Sequence, residues 1–348
     1  MNKRIRVFID ATSLKSGHAV RGVGAYTRNL LDALKEQKEI ELVDKIKNCD
    51  VVHYPYFDLF FLTLPLSKPK PTVVTIHDVI PLIYPEQYSP GIRGLIKYQI
   101  QKFSLKGVAA VITDSETSKK DIFRFLDISA NKIHVVHLAS GKEFIKLDDR
   151  AWILDFRKKY NLPEKFALYV GDVNYNKNIP GILKAFSSIV NHQSLIIKLV
   201  LVGDAFKNTE LPEVKEIFQL IKRVNLEDKV IMPGFVPTED LVYFYNLATV
   251  YCQPSFYEGF GLPVLEAMAC GCPVVAAKTQ SIVEIVQNSA LFVNPKDPRN
   301  IADGLTTVIN NLNLRKSLIK RGFERAKEFS WRKTATQTIE AYRKVISE

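Results

Sequence analysis

The chain has 348 residues, 47% of them hydrophobic and 24% charged, which excludes a disordered tail and leaves room for two domains at roughly 100–200 residues each. Its formal charge is +11: residues 1–165 hold 27 Lys and Arg against 19 Asp and Glu, a net +8, and residues 166–348 hold 21 against 18, a net +3. There is no run of about 18 apolar residues for a transmembrane helix, and the start MNKRIRVFIDATS is basic but has too short an apolar stretch for a signal peptide.

Short apolar runs alternate with longer amphipathic stretches from end to end. Ile5–Ile9 predicts a strand and Tyr26–Lys35 a helix with Leu30, Leu31 and Leu34 on one side. Val51–Tyr54 and the β-branched Thr72–Ile76 predict strands, Leu95–Leu105 a helix, Val108–Thr113 a strand, Ser118–Phe125 a helix and Ile133–Val136 a strand. Asp148–Pro163 is charged, carries a short helix at Trp152–Tyr160, and is the expected hinge. A second series has strands at Phe166–Val170, Ile196–Val202, Val230–Met232, Val250–Gln253 and Pro273–Ala276. Helices at Ile179–Ile189, Val214–Arg223, Glu239–Asn246, Pro263–Cys270, Ile282–Val286 and Ile301–Asn311 separate and follow them, and Trp331–Ile346 closes the chain. This is the βαβα order of parallel sheets covered on both faces. The expected fold is α/β, with a first Rossmann-like domain over 1–150, a second over 164–330 and a closing helix over 331–348. Open parallel sheets bind ligands at the carboxyl ends of their strands, and two facing sheets would frame a cleft.

Of the four cysteines, Cys49, Cys252, Cys270 and Cys272, only the last two are close, with no His at zinc-ligand spacing. They read as small buried apolar residues in a reducing compartment. The basic first half suits a phosphorylated ligand, an anionic membrane surface or nucleic acid, or else is a solvated lysine-rich surface. Arg93, Lys97, Lys102 and Lys106 share a helix with Ile92, Leu95, Ile96, Ile100 and Phe103. The two readings of that helix are peripheral contact with an anionic membrane and an ordinary domain helix with a solvated basic side.

The densest signal is Tyr257-Glu258-Gly259-Phe260-Gly261-Leu262-Pro263-Val264-Leu265-Glu266, after the strand Val250–Gln253 and opening a helix. Gly259 and Gly261 let the backbone approach a ligand closely. Pro263 suits a first helical turn, and Gly271 a position just past the helix end. The N–H groups of that first turn suit a diphosphate. Glu258 in the loop and Glu266, expected on the first helical turn, are carboxylates that can each accept hydrogen bonds from a vicinal diol. Lys177 stands before a helix with Asn178 as its N-cap and Pro180 in its first turn, where an ammonium would neutralise a diphosphate leaving group. His77 ends a strand, where a sheet presents side chains to ligands; Asp78 orients either the turn or His77. Gly22-x-Gly24-x-x-Thr27 is a weak dinucleotide fingerprint, twelve residues beyond Ile9, and is expected to be a flexible loop over the donor phosphates and acceptor. No Asp-x-Asp stands at a strand end and no His/Cys cluster exists, so neither a catalytic metal nor a cofactor is expected.

Pro254–Val275 resembles the Glu-x7-Glu signature of the retaining glycosyltransferases of family 4, which have the GT-B fold of two facing Rossmann-like domains with an interdomain cleft. The resemblance continues through Gly22-Val23-Gly24, Thr75-Ile76-His77-Asp78 and Thr113-Asp114-Ser115 with Ser118. It extends to Tyr169-Val170-Gly171 with Lys177-Asn178, Gly234-Phe235-Val236 with Leu241 and Tyr245, and Phe329-Ser330-Trp331. These run in the family's order over nearly the whole chain, and the flavour is that of bacterial mannosyltransferase-like members. One departure is that Asp172 and Asn176 stand where related enzymes carry an Arg before the lysine, which puts a second cationic phosphate contact in doubt.

The resemblance implies transfer of a hexose, mannose favoured, from a nucleoside diphosphate sugar to an acceptor hydroxyl with retention and without metal. It implies His77, Lys177 and Glu258 as catalytic residues: Lys177 on the diphosphate, Glu258 and His77 on the sugar. Donor binding would fall to Glu266 on the ribose, to Gly234, Phe235, Val236 and Leu241 around the base, and to the Gly259, Phe260, Gly261, Leu262 and Pro263 backbone at the diphosphate, with Asn178, Gly22 and Gly24 beside it. The acceptor would be lipid-linked or a saccharide, in surface polysaccharide or glycolipid synthesis. The expected place is the cytoplasm or the inner face of the membrane, with no nucleic-acid partner. The rival readings are a sugar-nucleotide 2-epimerase of the same architecture and a non-catalytic binding module.

Overall fold

The computed structural model describes residues 4–15, 22–149, 151–192 and 197–347, with side chains through 190 in the third stretch. They form two compact units, Met1–Ala139 with Phe329–Glu348, and Ser140–Glu328. Among the described residues no helix is long and apolar enough to cross a membrane. Ile196, expected to open a strand, lies outside the described residues.

The first unit runs β1 (Ile5–Ile9), α1 (Gly22–Lys35), β2 (Ile40–Leu42), β3 (Val51–Tyr54), β4 (Thr72–Thr75), α2 (Ile80–Ile83), α3 (Gly91–Leu105), β5 (Ala110–Thr113), α4 (Glu116–Leu126) and β6 (Ile133–Val135). Its strands pair in parallel in the order β2-β1-β3-β4-β5-β6. β4 and β5 are buried at every position, which is why they read as unbroken apolar or β-branched runs instead of alternating ones.

The second unit holds α5 (Ile153–Tyr160), β7 (Phe166–Val170), α6 (Ile179–His192), β8 (Lys198–Val202), α7 (Pro212–Arg223), β9 (Val230–Gly234), α8 (Thr238–Leu247) and β10 (Val250–Gln253). It continues with α9 (Leu262–Ala269), β11 (Val274–Ala277), α10 (Gln280–Val286), β12 (Leu291–Val293), α11 (Pro298–Asn310) and α12 (Leu312–Lys327). The sheet order is β12-β11-β10-β7-β8-β9, all parallel, so the strand order reverses between β7 and β10. Ligands of open α/β sheets settle at that reversal, outside the carboxyl ends of the strands. The last helix, α13 (Trp331–Ser347), belongs to the first unit: Tyr342 OH lies 2.7 Å from His53 Nδ1, and Thr334 Oγ1 donates to the His137 carbonyl at 2.8 Å.

Two expectations are corrected. Asp148–Pro163, expected as the hinge, falls within the second unit, which begins at Ser140. Trp152 packs on Tyr243 at 4.4 Å and Phe156 on Phe244 at 5.3 Å between ring centroids, and Leu147 N donates to Asn246 Oδ1 at 2.9 Å. Gly22 and Gly24 are not in a flexible loop: they form the first turn of α1, which starts four residues before the predicted Tyr26 and buries Gly24.

Candidate active site

The loops after β7 and β10, the strands flanking the reversal, meet through their side chains. The first ends in a single 3-10 turn, Tyr175–Lys177, and the second carries Glu258. Lys177 Nζ lies 3.0 and 2.8 Å from the two carboxylate oxygens of the buried Glu258. Gln253 Nε2 donates to the same Oε1 at 2.8 Å and Ser255 Oγ at 2.6 Å. Oε1 thus accepts three donors and Oε2 one, which leaves Oε2 capacity for a ligand hydroxyl. An ammonium has three donors; two point at Glu258, and the third remains for an anion.

The loops are laced to each other by backbone as well. Asn176 Nδ2 donates to the Tyr257 carbonyl at 2.9 Å and Phe256 N to the Asn176 carbonyl at 2.8 Å. Ser281 Oγ donates to the Glu258 carbonyl at 2.6 Å. Asn178 does cap α6, its Oδ1 accepting from Gly181 N at 3.2 Å, but with φ at 57°. Both its Nδ2 protons are taken, by the carbonyls of Pro254 (2.9 Å) and Pro295 (2.8 Å). Asn178 therefore has no amide donor for a ligand. Its side chain ties the start of α6 to the segments at Pro254 and Pro295.

Gly261 precedes α9 with φ at 96°, and a Cβ there would meet Ile282 Cδ1 at 2.5 Å. The positive φ is what requires glycine there, and a side chain would also have to displace the end of Ile282. Pro263 falls in the first turn and no side chain caps α9, so its N-terminal dipole is open to an anion. Gly259, Phe260 and Leu262 flank Gly261 in sequence, Gly259 and Phe260 buried and Leu262 half-buried. Glu266 is the fifth residue of α9, one turn deeper than the first-turn position expected for it. Its carboxylate is buried and accepts from Tyr245 OH at 2.9 Å. Burial raises its pKa to about 7, the Tyr245 hydrogen bond opposes the rise, and the charge of Glu143 adds to it. Gly234 ends β9 with φ at 84°, Phe235 beyond it is half exposed, Val236 is buried, and Leu241 lies half-buried in α8.

In the first unit, His77 follows β4 and Asp114 follows the neighbouring β5. His77 Nδ1 lies 2.7 Å from Asp114 Oδ2, and Tyr26 packs edge-on against the imidazole at 4.7 Å. Burial works against the charged imidazole, but the charge and hydrogen bond of Asp114 outweigh it, so the pKa lies above the ordinary 6.5. Asp78 orients the turn: its Oδ1 accepts from Ile80 N at 3.0 Å, while the partner of His77 is Asp114. Asp114 and Gln253 were given no site role from sequence, and Asn176 was noted only as standing where relatives carry an Arg. Asp114 and Ser255 stand inside strings quoted above, but nothing local says which side chain each will face.

Residues 152–325 match the family described as glycosyl transferases group 1, and residues 24–139 match glycosyltransferase family 4. The chain is 34% identical over 272 residues to O-antigen chain mannosyltransferase B of Escherichia coli, covering 78% of this chain and 70% of that protein. It is 27% identical over 294 residues to the serotype-specific mannosyltransferase WbdA of Escherichia coli, covering 83% of this chain but only 35% of WbdA, about a third of that relative's length. The solved structure of Anabaena Alr3699/HepE in complex with UDP and glucose matches with a TM-score of 0.76 at 18% identity, over 98% of this chain and 99% of that one. The paired six-stranded parallel sheets and these matches define a GT-B glycosyltransferase. The chain belongs to glycosyltransferase family 4.

Proposed function

We propose that this enzyme transfers mannose from a nucleoside diphosphate sugar to an acceptor hydroxyl, with retention of anomeric configuration and without a metal, in the synthesis of a surface polysaccharide or glycolipid. Mannose is taken from the named activity of the Escherichia coli relatives. The observation that carries the reading is the Lys177–Glu258 pair beside the open N-terminus of α9, at the strand reversal.

On this reading the Lys177 ammonium and the Phe260–Pro263 backbone hold the diphosphate, and stabilise its charge as the glycosidic bond breaks. Glu258 Oε2 accepts a sugar hydroxyl and Glu266 accepts from the ribose. Gly234, Phe235, Val236 and Leu241 frame the base, and His77, held by Asp114, is assigned to the sugar. Donor is a co-substrate and no cofactor takes part. The acceptor is lipid-linked or a saccharide, and the enzyme works at the inner face of an anionic membrane, with nucleic acid playing no part.

A thermal-shift screen of sugar nucleotides tests the reading, because a ligand that binds only the folded state raises its melting temperature. A nucleoside diphosphate mannose should give the largest shift and be consumed only when an acceptor glycan is added. Conversion of the sugar nucleotide without acceptor would assign the site to epimerisation, and no shift with any sugar nucleotide would sink the donor assignment.

A further inference from the structure

Helix α3 is turned inside out. Its buried residues are Gly94, Gln101, Ser104 and Leu105, mostly small or polar. Ile92, Leu95, Ile96 and Phe103 are each more than half exposed, Ile92 at 79%. At about 100° per residue, these four and Ile100 fall within one arc of about 140°, interrupted by the exposed Gln99, with Lys102 on one border and Arg93 and Lys97 on the other. An ordinary domain helix would place such an arc against the core.

The polar buried side of α3 pins a second apolar element beside it. Gln101 Nε2 donates to the Asp58 carbonyl at 3.2 Å and to Thr63 Oγ1 at 2.9 Å, and Ser104 Oγ donates to the Pro65 carbonyl at 2.6 Å. The loop so fixed presents Phe61, Leu62 and Leu66, each at least 60% exposed, and Lys97 Nζ stands 4.8 Å over the Phe61 ring. Lys68 is tied to Ser104 Oγ at 2.9 Å. No acidic residue occurs between positions 87 and 113 or between 59 and 77. Contiguous exposed apolar surface of this kind marks an interaction site.

We propose that this face of the first unit docks on an anionic lipid bilayer, with the apolar side chains of the 61–66 loop and α3 at the acyl boundary and the flanking Arg93, Lys97 and Lys102 among the headgroups. The inference deepens the membrane-contact reading above and rests on it. The charge pattern selects the occupant: an apolar stripe between basic borders is what an interfacial helix needs. A two-fold pairing with a second copy would set the two basic borders against each other.

Co-sedimentation with phosphatidylcholine vesicles, with and without phosphatidylglycerol and at low and high salt, tests it. Two double variants are compared with wild type: Arg93→Glu with Lys97→Glu, and Phe61→Ser with Ile96→Ser. Wild type should bind only the phosphatidylglycerol vesicles and release in high salt. The charge-reversed pair should lose about 20-fold or more in partitioning, and the serine pair about 10-fold. Both should keep the donor-induced thermal shift, which reports folding and keeps the glycosyltransferase reading separate. Wild-type binding that neither pair weakens would assign the bilayer contact to another surface and overturn this proposal alone. Failure of wild type to bind any vesicle would overturn both the surface and the membrane reading. A wild-type dimer in size-exclusion light scattering that Ile96→Ser splits, without vesicle binding, would hand the face to a second copy and overturn the proposal.

Discussion

Glu266 links pH, stability and ligand in one buried carboxyl. With its pKa raised to about 7 from an ordinary 4.5, the folded chain holds the proton more tightly than the unfolded chain. The stabilisation is fully present below the unfolded value, declines as pH rises, and is gone above about 7. Its full size is on the order of 3 kcal/mol. Urea unfolding of wild type and Glu266→Gln should therefore diverge in favour of the variant as pH climbs through this window, and a pH-independent difference would discard the account. Nucleotide binding should behave oppositely. If ribose hydroxyls donate to this group they favour its charged form, so wild-type affinity should rise with pH up to about 8 while that of Glu266→Gln stays flat and lower by about 10- to 150-fold. Calorimetry at several pH values reads both. Lys177 and Glu258 pose a different problem, because each is the other's partner. Lys177→Ala should lower the single-turnover rate by about 10²–10³ and also destabilise the fold by leaving Glu258 with one fewer donor. Adding Glu258→Gln should restore the melting temperature and not the rate. If the double variant recovered turnover, Lys177 would have no part in catalysis.

At the level of elements, α13 shows how a terminal helix is tied down. Tyr342 OH meets His53 Nδ1 at 2.7 Å, and His53 Nε2 meets Thr75 Oγ1 at 2.8 Å, so both imidazole nitrogens are satisfied inside the first unit. Burial, with a smaller push from His77, holds the His53 pKa down to about 3. The ring therefore stays neutral in the fold, and the stability it contributes is present above the unfolded value near 6.5 and is lost as pH falls toward 3. Tyr342→Phe should cost about 1–3 kcal/mol by leaving a buried ring nitrogen unpaired, whereas Thr336→Ala on the exposed side of the same helix should change little. Equal unfolding midpoints for Tyr342→Phe and wild type would remove the hydroxyl from this role. β2, β12 and α12 escaped sequence reading for two different reasons. β2 and β12 are three-residue edge strands, too short to show a period, and α12 begins one residue after α11 ends at Asn310, separated only by Asn311, which caps it.

For the molecule as a whole, one further outcome follows from the proposed charge balance. With Lys177 and the α9 N-terminus set to neutralise the diphosphate, transfer should survive EDTA; loss of activity restored by Mg²⁺ or Mn²⁺ would refute it. The alternation of apolar runs and amphipathic stretches, and with it two α/β halves, was set by local chemistry, because burial on both faces of a parallel sheet demands it wherever the strand lies. The family was legible for the same reason, since its strings sit in strand-to-helix turns whose glycines and proline are fixed by local backbone geometry. Other features were decided only by the tertiary structure. Lys177 meets Glu258 across 81 positions, His77 meets Asp114 across 37, and Tyr342 meets His53 across 289. Such partners are chosen by strand order, which no local pattern encodes. The unit boundary at Ser140 depends on where Trp152 and Phe156 find aromatic partners. The outward turn of α3 belongs to the same class: periodicity tells which side chains share a face, and only packing decides whether that face looks at the core or at the solvent.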